Sequence, residues 1–473
     1  MSDCGQDYMI GKSSRIVVVG GGISGLAAAQ RLIDLGQTNV ILLEASTRLG
    51  GTIETTRRDG FLLERGPDSF ISEKPHALEL ARRLGLESQL IQTNEKFRRS
   101  FIVRNGRLRP VPEGFQLLAP SRIAPFLMTD IFSVAGKARM AADLFLPRKA
   151  TNGTDDESLA SFVRRRLGKE ALERMAQPMV GGIYTADPET LSLRATLPRF
   201  LDMEQRHRSL ILAMLRQGAA QKSGTSGARY SLFLSFDRGM QVLVDAVTRI
   251  NADIRLGTRA QRLTVDQGWT ITTDKDEHLK ADAVCLAVPA YVAASLLNEV
   301  DEQLARKLRN IKYASTATIN FAYKRSAIAH PLNGFGFVVP FIEKRSVIAC
   351  TFSSVKFSGR APDDHVLLRA FAGGALQPEI FALDEAEMAK RVETDLRELL
   401  GISEPPLFTE VAKWERSMPQ YEVGHLDRVK EMESAANELP GLALAGNAYR
   451  GAGIPDCIRS GEAAAESLCK SPS

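Results

Sequence analysis

Apolar residues gather at both ends of the chain into short β-branched runs, each leading into a glycine turn or a helical stretch. Arg15–Val19 reads as a strand, residues 20–25 as a tight turn and residues 26–35 as a helix. Asn39–Leu43 and Phe61–Glu64 read as further strands. Toward the other end, residues 442–445 read as a strand running into a turn. A last helix opens near Gly453, with Pro455 suited to its first turn, and runs through Cys469. Between these ends, residues 113–229 lack strand alternation and read as helices, including Leu159–Arg166 and residues 169–175. Polar stretches at 150–157 and 222–227 read as exposed loops. Residues 241–249 read as a helix, followed by short strands near 254–256, 269–272 and 283–288. Residues 316–323, 336–340, 347–352 and 366–372 then suggest a mostly antiparallel sheet. No repeat of 20 to 50 residues is present.

A chain of 473 residues exceeds the size at which one core keeps growing, so two or three domains are expected. Hydrophobic residues make up 44% and charged residues 25%, which excludes a disordered chain or a membrane-embedded bundle. The 61 basic and 56 acidic side chains leave a charge of +5. That is too weak a bias for nucleic acid, though it permits an acidic ligand or contact with an anionic membrane surface. The five cysteines are scattered and never form a C-x-x-C pair, which fits a reducing compartment. Neither they nor the six histidines have metal-ligand spacing, so no metal is expected. The first residues are polar and lack an apolar core, so no signal peptide is expected and the cytoplasm is the default location. Pro289 breaks the apolar stretch 283–297, and Arg122 and Asp130 break 115–134. Neither stretch offers the ~20 clean residues of a spanning helix, and a peripheral membrane contact stays open.

The first strand, turn and helix carry chemistry. Gly20, Gly22 and Gly25 occupy the three places of G-x-G-x-x-G, in which the glycines allow the turn, close backbone approach to a pyrophosphate, and helix packing on the strand. Ile23 and Ser24 open the helix, whose free N–H groups and positive dipole end suit phosphate charge. Glu44, followed by Ala45, ends the second strand about 20 residues on, where an acid accepts from ribose hydroxyls. Glycine-rich turns also occur for structural reasons. Strand, turn, helix and terminal acid in one unit favour the nucleotide reading.

Arg48, Gly50, Gly51 and Thr52 follow directly on that acid and resemble the second flavin motif of the flavin amine-oxidase superfamily. Gly66, Pro67, Asp68 and Ser69 resemble its next FAD contact. Four longer blocks, QPMVGGIYTADP from Gln177, SFDRGMQ from Ser235, WERSMPQY from Trp414 and GNAYRGAGIPDC from Gly446, resemble the oxygen-dependent protoporphyrinogen and coproporphyrinogen III oxidases. The likeness runs from about Ile16 to the last helix. It implies an α/β chain, α+β overall, with a Rossmann-type FAD-binding domain, a mixed-sheet substrate domain and a helical lobe. The implied boundaries are 1–95, 230–295 and 440–473 for the FAD domain, 96–112 and 296–439 for the substrate domain, and 113–229 for the lobe, often the membrane-facing part.

The resemblance also implies non-covalent FAD against the motifs above. Ala260 would lie on the adenine side, and Trp414, Gly446, Gly453, Ile454 and Pro455 would close the flavin site. Helix N–H groups there can stabilise negative charge on reduced flavin. No Ser-His-Asp set, activated cysteine or carboxylate pair emerges, so no side chain is expected to be catalytic. The family reaction is hydride transfer from a porphyrinogen meso carbon to flavin N5, with molecular oxygen becoming hydrogen peroxide. Phe335 matches the ring-stacking position and Gly182 a close approach to the pyrrole edge. Plant relatives hold a propionate with an arginine where this chain has Ser100. The adjacent Arg98 and Arg99 are therefore the candidates for gripping a carboxylate, against the plainer reading of a solvated basic turn. Coproporphyrinogen III is the favoured substrate, on likeness to the soluble bacterial type and on the available arginines, with protoporphyrinogen IX as the other choice. The alternatives are an amine oxidase or polyene desaturase of the same superfamily, or a non-catalytic flavin or porphyrin carrier. No motif speaks to the oligomeric state.

Overall fold

The computed structural model describes residues 10–150, 155–221 and 232–470. Residues 1–9 with Cys4, residues 151–154 of the first polar stretch and all of 222–227 lie outside the described residues. Two sheets organise the molecule. In chain order their strands are β1 (Arg15–Val19), β2 (Asn39–Leu43), β3 (Phe101–Arg104), β4 (Arg107–Pro110), β5 (Asp253–Arg255) and β6 (Ala283–Leu286). They continue with β7 (Tyr313–Lys324), β8 (Gly336–Val338), β9 (Ala349–Phe352), β10 (His365–Gly373), β11 (Phe408–Pro419) and β12 (Leu442–Leu444). Four helices matter for the site: α1 (Ile23–Asp34), α2 (Gln177–Tyr184), α3 (Glu385–Leu400) and α4 (Ile454–Cys469).

The first sheet is parallel, in the order β5-β2-β1-β6-β12, so it draws on three separate stretches of chain. Its interior strands β2, β1 and β6 are near-continuous apolar runs because both faces are covered, whereas the edge strand β5 reads Asp-Ile-Arg. Ile16 and Val18 pack toward α1 and α4, with Leu26 and Cys457. Val17 and Val19 pack on the other side with Trp269 and Ile271 of a small antiparallel sheet. The helices α1 and α4 cross closely, and a Cβ on Gly461 would lie 2.1 Å from the Ser24 carbonyl oxygen.

The second sheet runs β11-β7-β10-β9-β8-β3-β4, antiparallel except where β8 meets β3. Period-two alternation gives it two different faces. Ile319, Phe337, Phe352, Leu368 and Ala370 pack against Met388, Val392 and Leu396 of α3. The opposite face carries Thr318, Asn320, Val338, Thr351, Arg369 and Phe371. It meets the first sheet's domain: Asn320 Nδ2 donates to the Glu64 carbonyl at 3.2 Å, and Thr318 Oγ1 donates to that of Arg65.

Residues 113–221 are mainly helical around a core that includes Phe162, Phe200 and Met214. Two details differ from the sequence-based expectation. Phe115–Gln116 and Ala119–Pro120 pair as a minimal hairpin, too short for alternation to register, with Leu117 in the left-handed region. The stretch expected as one helix at 169–175 is instead Lys169–Ala171 followed by a π-type turn at Leu172–Ala176. Inside this lobe Arg166 and Asp143 pair with both side chains fully buried. Among the described residues no helix is long and apolar enough to cross a membrane.

Candidate functional site

β1 delivers the chain into Gly20, which takes φ +109°, and a side chain there would meet the Ala287 carbonyl oxygen at 2.4 Å. At Gly25 a Cβ would fall 1.8 Å from the Gly20 carbonyl oxygen, so turn and helix are locked together by two glycines. Gly22 differs: the nearest atom to an added Cβ is Gly51 Cα, at 4.0 Å, so the backbone there borders open space. Gly22 is also the N-cap of α1, which has no capping side chain and no acid in its first turn. The helix therefore offers N–H groups and a positive dipole end to an incoming anion.

A second loop closes on this turn. Gly50 N donates to the Gly21 carbonyl at 2.9 Å, and Arg48 donates from Nη1 to the carbonyls of Leu49 and Ile53 and from Nη2 to that of Gly51. Arg48 thus shapes the loop around Gly50, Gly51 and the exposed Thr52. Glu44 accepts from Gly21 N and Ser46 N, each at 2.7 Å, which holds its carboxylate at the mouth of the glycine turn. Exposed Ala45 follows it, and Thr258 N donates to the Glu44 carbonyl at 2.9 Å, bringing Ala260 to the same side. Gly66 is pressed on this loop, since a Cβ there would lie 1.7 Å from the Thr52 carbonyl oxygen.

From Gly66 the chain crosses the inner face of the second sheet. The Trp414 indole donates to the Arg65 carbonyl at 2.9 Å. The Asp68 side chain turns to Lys356 and Arg369, at 3.0 and 3.1 Å, and Lys356 Nζ also reaches Ser69 Oγ at 3.2 Å. Burial alone would raise the Asp68 pKa, but the two cations more than offset it and hold the acid well below the usual carboxylate range.

The closing loop is fixed from below. Tyr421 accepts from Gly451 N at 3.0 Å and donates to the Asn447 carbonyl. His425 stacks on Tyr421 with centroids 4.2 Å apart, and its Nε2 bonds the Tyr449 carbonyl at 2.8 Å. Burial pushes the His425 pKa down to about 4, so the ring is neutral near pH 7. Gly446 N donates to Ser460 Oγ at 3.0 Å. Gly453 caps α4, with Ile454 and Pro455 in the first turn. The acid in that turn, Asp456, is paired with Lys74 at 2.6 Å.

A narrow cleft lies between α2 and the ends of β8, β9 and β10, lined by Gln177, Gly182, Thr185, Val339, Ile348 and Gly373. Gly182 is exposed there, and an added Cβ would approach Val338 Cγ1 at 3.7 Å. Phe335, half-buried, leads into β8, its N–H donating to the Arg99 carbonyl at 2.8 Å. Arg98 and Arg99 are both exposed. The structure thus gathers Gly182, Phe335 and Arg99 around β8. Lys356, Arg369 and His425 escaped the sequence reading, because their partners are too distant along the chain for any spacing to reveal them.

A glycine turn on a helix start, an acid held at its mouth, a second glycine loop and a closing helix at the far end of the chain are the arrangement of a flavin-containing oxidoreductase. The open backbone at Gly22 and the uncapped α1 fit the pyrophosphate of such a cofactor. This chain belongs to the family of flavin containing amine oxidoreductases, whose family description matches residues 23–469. It is 37% identical over 461 residues to the coproporphyrinogen III oxidase of Bacillus subtilis, covering 95% of this chain and 96% of that one. It is 32% identical to the chloroplastic protoporphyrinogen oxidase of Nicotiana tabacum, covering 93% and 83%. A crystal structure from Exiguobacterium sp., provisionally named a protoporphyrinogen oxidase, superposes with a TM-score of 0.85 at 32% identity, covering 96% and 98%.

Proposed function

We propose that this chain is an FAD-dependent porphyrinogen oxidase of haem biosynthesis, acting on coproporphyrinogen III with oxygen as acceptor, and that it binds FAD non-covalently. The observation that carries this reading is near-full-length likeness to a coproporphyrinogen III oxidase at 37% identity, combined with a cleft that includes Gly182, the residue expected at the pyrrole edge. Bound flavin would take two electrons from a porphyrinogen carbon in each round and pass them to oxygen.

The chain's own groups bind and orient. The N–H groups of Gly22, Ile23 and Ser24 would hold the pyrophosphate, Arg48 holds the second loop in shape, and Glu44 would accept from the ribose. Gly66, Pro67 and the start of α4 are the groups that would hold the isoalloxazine. Phe335, Val338 and Gly182 form apolar walls for a flat macrocycle, with a glycine at the narrowest approach. Exposed Arg98 and Arg99 stand at the rim, where a cation meets a propionate in water and steers it.

The test is a visible spectrum of the purified protein, followed by porphyrin fluorescence and peroxide release in air with each porphyrinogen separately. Bound flavin and faster turnover of coproporphyrinogen III are expected. Faster turnover of protoporphyrinogen IX would move the substrate assignment, and flavin without turnover of either would overturn it. Alanine at Arg98 or at Arg99 is expected to raise KM about tenfold with kcat nearly unchanged. Unchanged KM in both variants would remove the rim arginines from recognition.

A further inference from the structure

Beside residues 66–69 lies a group of charges that the reading above leaves unused. Asp68 accepts two bonds from Lys356 Nζ, at 3.1 and 3.0 Å, and its Oδ2 lies 3.1 Å from Arg369 Nη1. The three side chains are enclosed, at 14%, 12% and 5% exposure respectively. Arg360 is buried behind them, donating to Ser235 Oγ and to the carbonyls of Phe236 and Asp237. Glu64 is also buried, accepting from Thr55 Oγ1 and Met240 N. These five groups comprise three cations and two carboxylates. Burial pushes the Glu64 pKa up, and protonation there would only enlarge the positive surplus. Farther out, exposed Arg57 and Asp237 offset one another.

The surplus is poorly satisfied within the protein. Arg369 Nε has no hydrogen-bond acceptor, its Nη1 meets Asp68 as an ion pair without hydrogen-bond alignment, and the guanidinium lies 4.7 Å from the centroid of Phe371. Lys356 is walled by Phe233 and Phe357, at 5.3 and 5.0 Å. A buried cation lacking a full counter-charge is costly, and the cost falls when negative charge develops nearby in a low-dielectric site. Arg369 stands on the face of the second sheet that meets the first domain, at the point where residues 66–69 cross it.

We propose that Lys356 and Arg369 keep a fixed surplus of positive charge beside residues 66–69 that favours negative charge on the reduced flavin, and that Asp68 limits its size. The inference rests on the reading of residues 66–69 as a flavin contact. These groups act through their field without touching the reacting atoms, and no proton moves among them.

The experiment is a spectroelectrochemical midpoint potential on flavin-loaded protein, with sulfite affinity and a thermal melt on the same samples. Lys356→Met and Arg369→Met are expected to lower the potential and weaken sulfite binding about tenfold. Asp68→Asn is expected to raise the potential, Lys356→Arg to keep it, and the charge-balanced Asp68→Asn/Lys356→Met pair to return close to it. Loss of a merely structural contact would not give opposite signs. If Lys356→Met fails to fold, the comparison of Arg369→Met with Asp68→Asn carries the same sign test. Unchanged potentials, or Asp68→Asn and Arg369→Met moving in the same direction, would overturn the proposal. A wild-type chain that binds no flavin would instead remove the site reading beneath it.

Discussion

Gly22 and Gly25 separate two reasons for the same residue type three positions apart. At Gly25 a methyl group would collide with the Gly20 carbonyl, so Gly25→Ala is expected to destabilise the fold by about 3 kcal/mol and to lose flavin with it. At Gly22 the added carbon meets open space, so Gly22→Ala is expected to melt like wild type while flavin absorbance falls. Melting curves and spectra on both variants check the pair. Both glycines were legible in the sequence; the difference between them required knowing which atoms each one faces. His425 was not legible at all, because its meaning lies in Tyr421 and the Tyr449 carbonyl. Its pKa drops from an ordinary 6.5 to about 4 through burial, with Arg428 and Arg450 adding to the drop and the Tyr449 bond and Asp156 opposing it. The unfolded chain therefore binds a proton that the folded chain refuses, and stability falls as pH is lowered from 6.5 toward 4. The expected loss approaches about 3 kcal/mol, and His425→Gln should flatten that part of the stability profile measured by denaturant titration.

Among the elements, the strands at Arg15–Val19, Asn39–Leu43 and Phe61–Glu64 and the end of the last helix at Cys469 were readable from pattern alone. Each is a strong local signal bounded by glycine, proline or a charge. The hairpin at residues 115–120 and the π-type turn at Leu172–Ala176 were not readable, since neither is long enough to display a period. The helical lobe also hides its strongest internal tie. Asp143 accepts from Arg166 Nε at 2.7 Å, Ser209 Oγ at 2.6 Å and Ile211 N at 3.1 Å, which joins three segments in a dry interior. Asp143→Ala would leave buried Arg166 with only Glu204, at 3.6 Å, as a counter-charge, and a loss of about 3 kcal/mol is expected. Limited proteolysis should then open residues 113–221 first while bound flavin is retained.

At the scale of the whole molecule, residues 61–69 join the first domain to the second sheet, Phe61 and Leu63 packing with Ala322, Leu367 and Phe408 and the residues after them making polar contacts. The likeness to the porphyrinogen oxidases carried the overall plan, because its blocks are spread in order along the chain. The charge balance between the sheets was beyond it, since Asp68 and Arg369 show their relation only once β10 lies across residues 66–69.

The parallel sheet has one further consequence. Strand β12 forms one edge of the sheet, and α4 covers α1 through the approach of Gly461 to Ser24 and the Arg31–Glu466 ion pair at 2.7 Å. On a ribosome, the two helices emerge on the order of 20 s or more apart. The glycine turn would spend that interval with the apolar side of α1 uncovered, which makes the nascent chain a client for chaperones and leaves flavin capture to follow release.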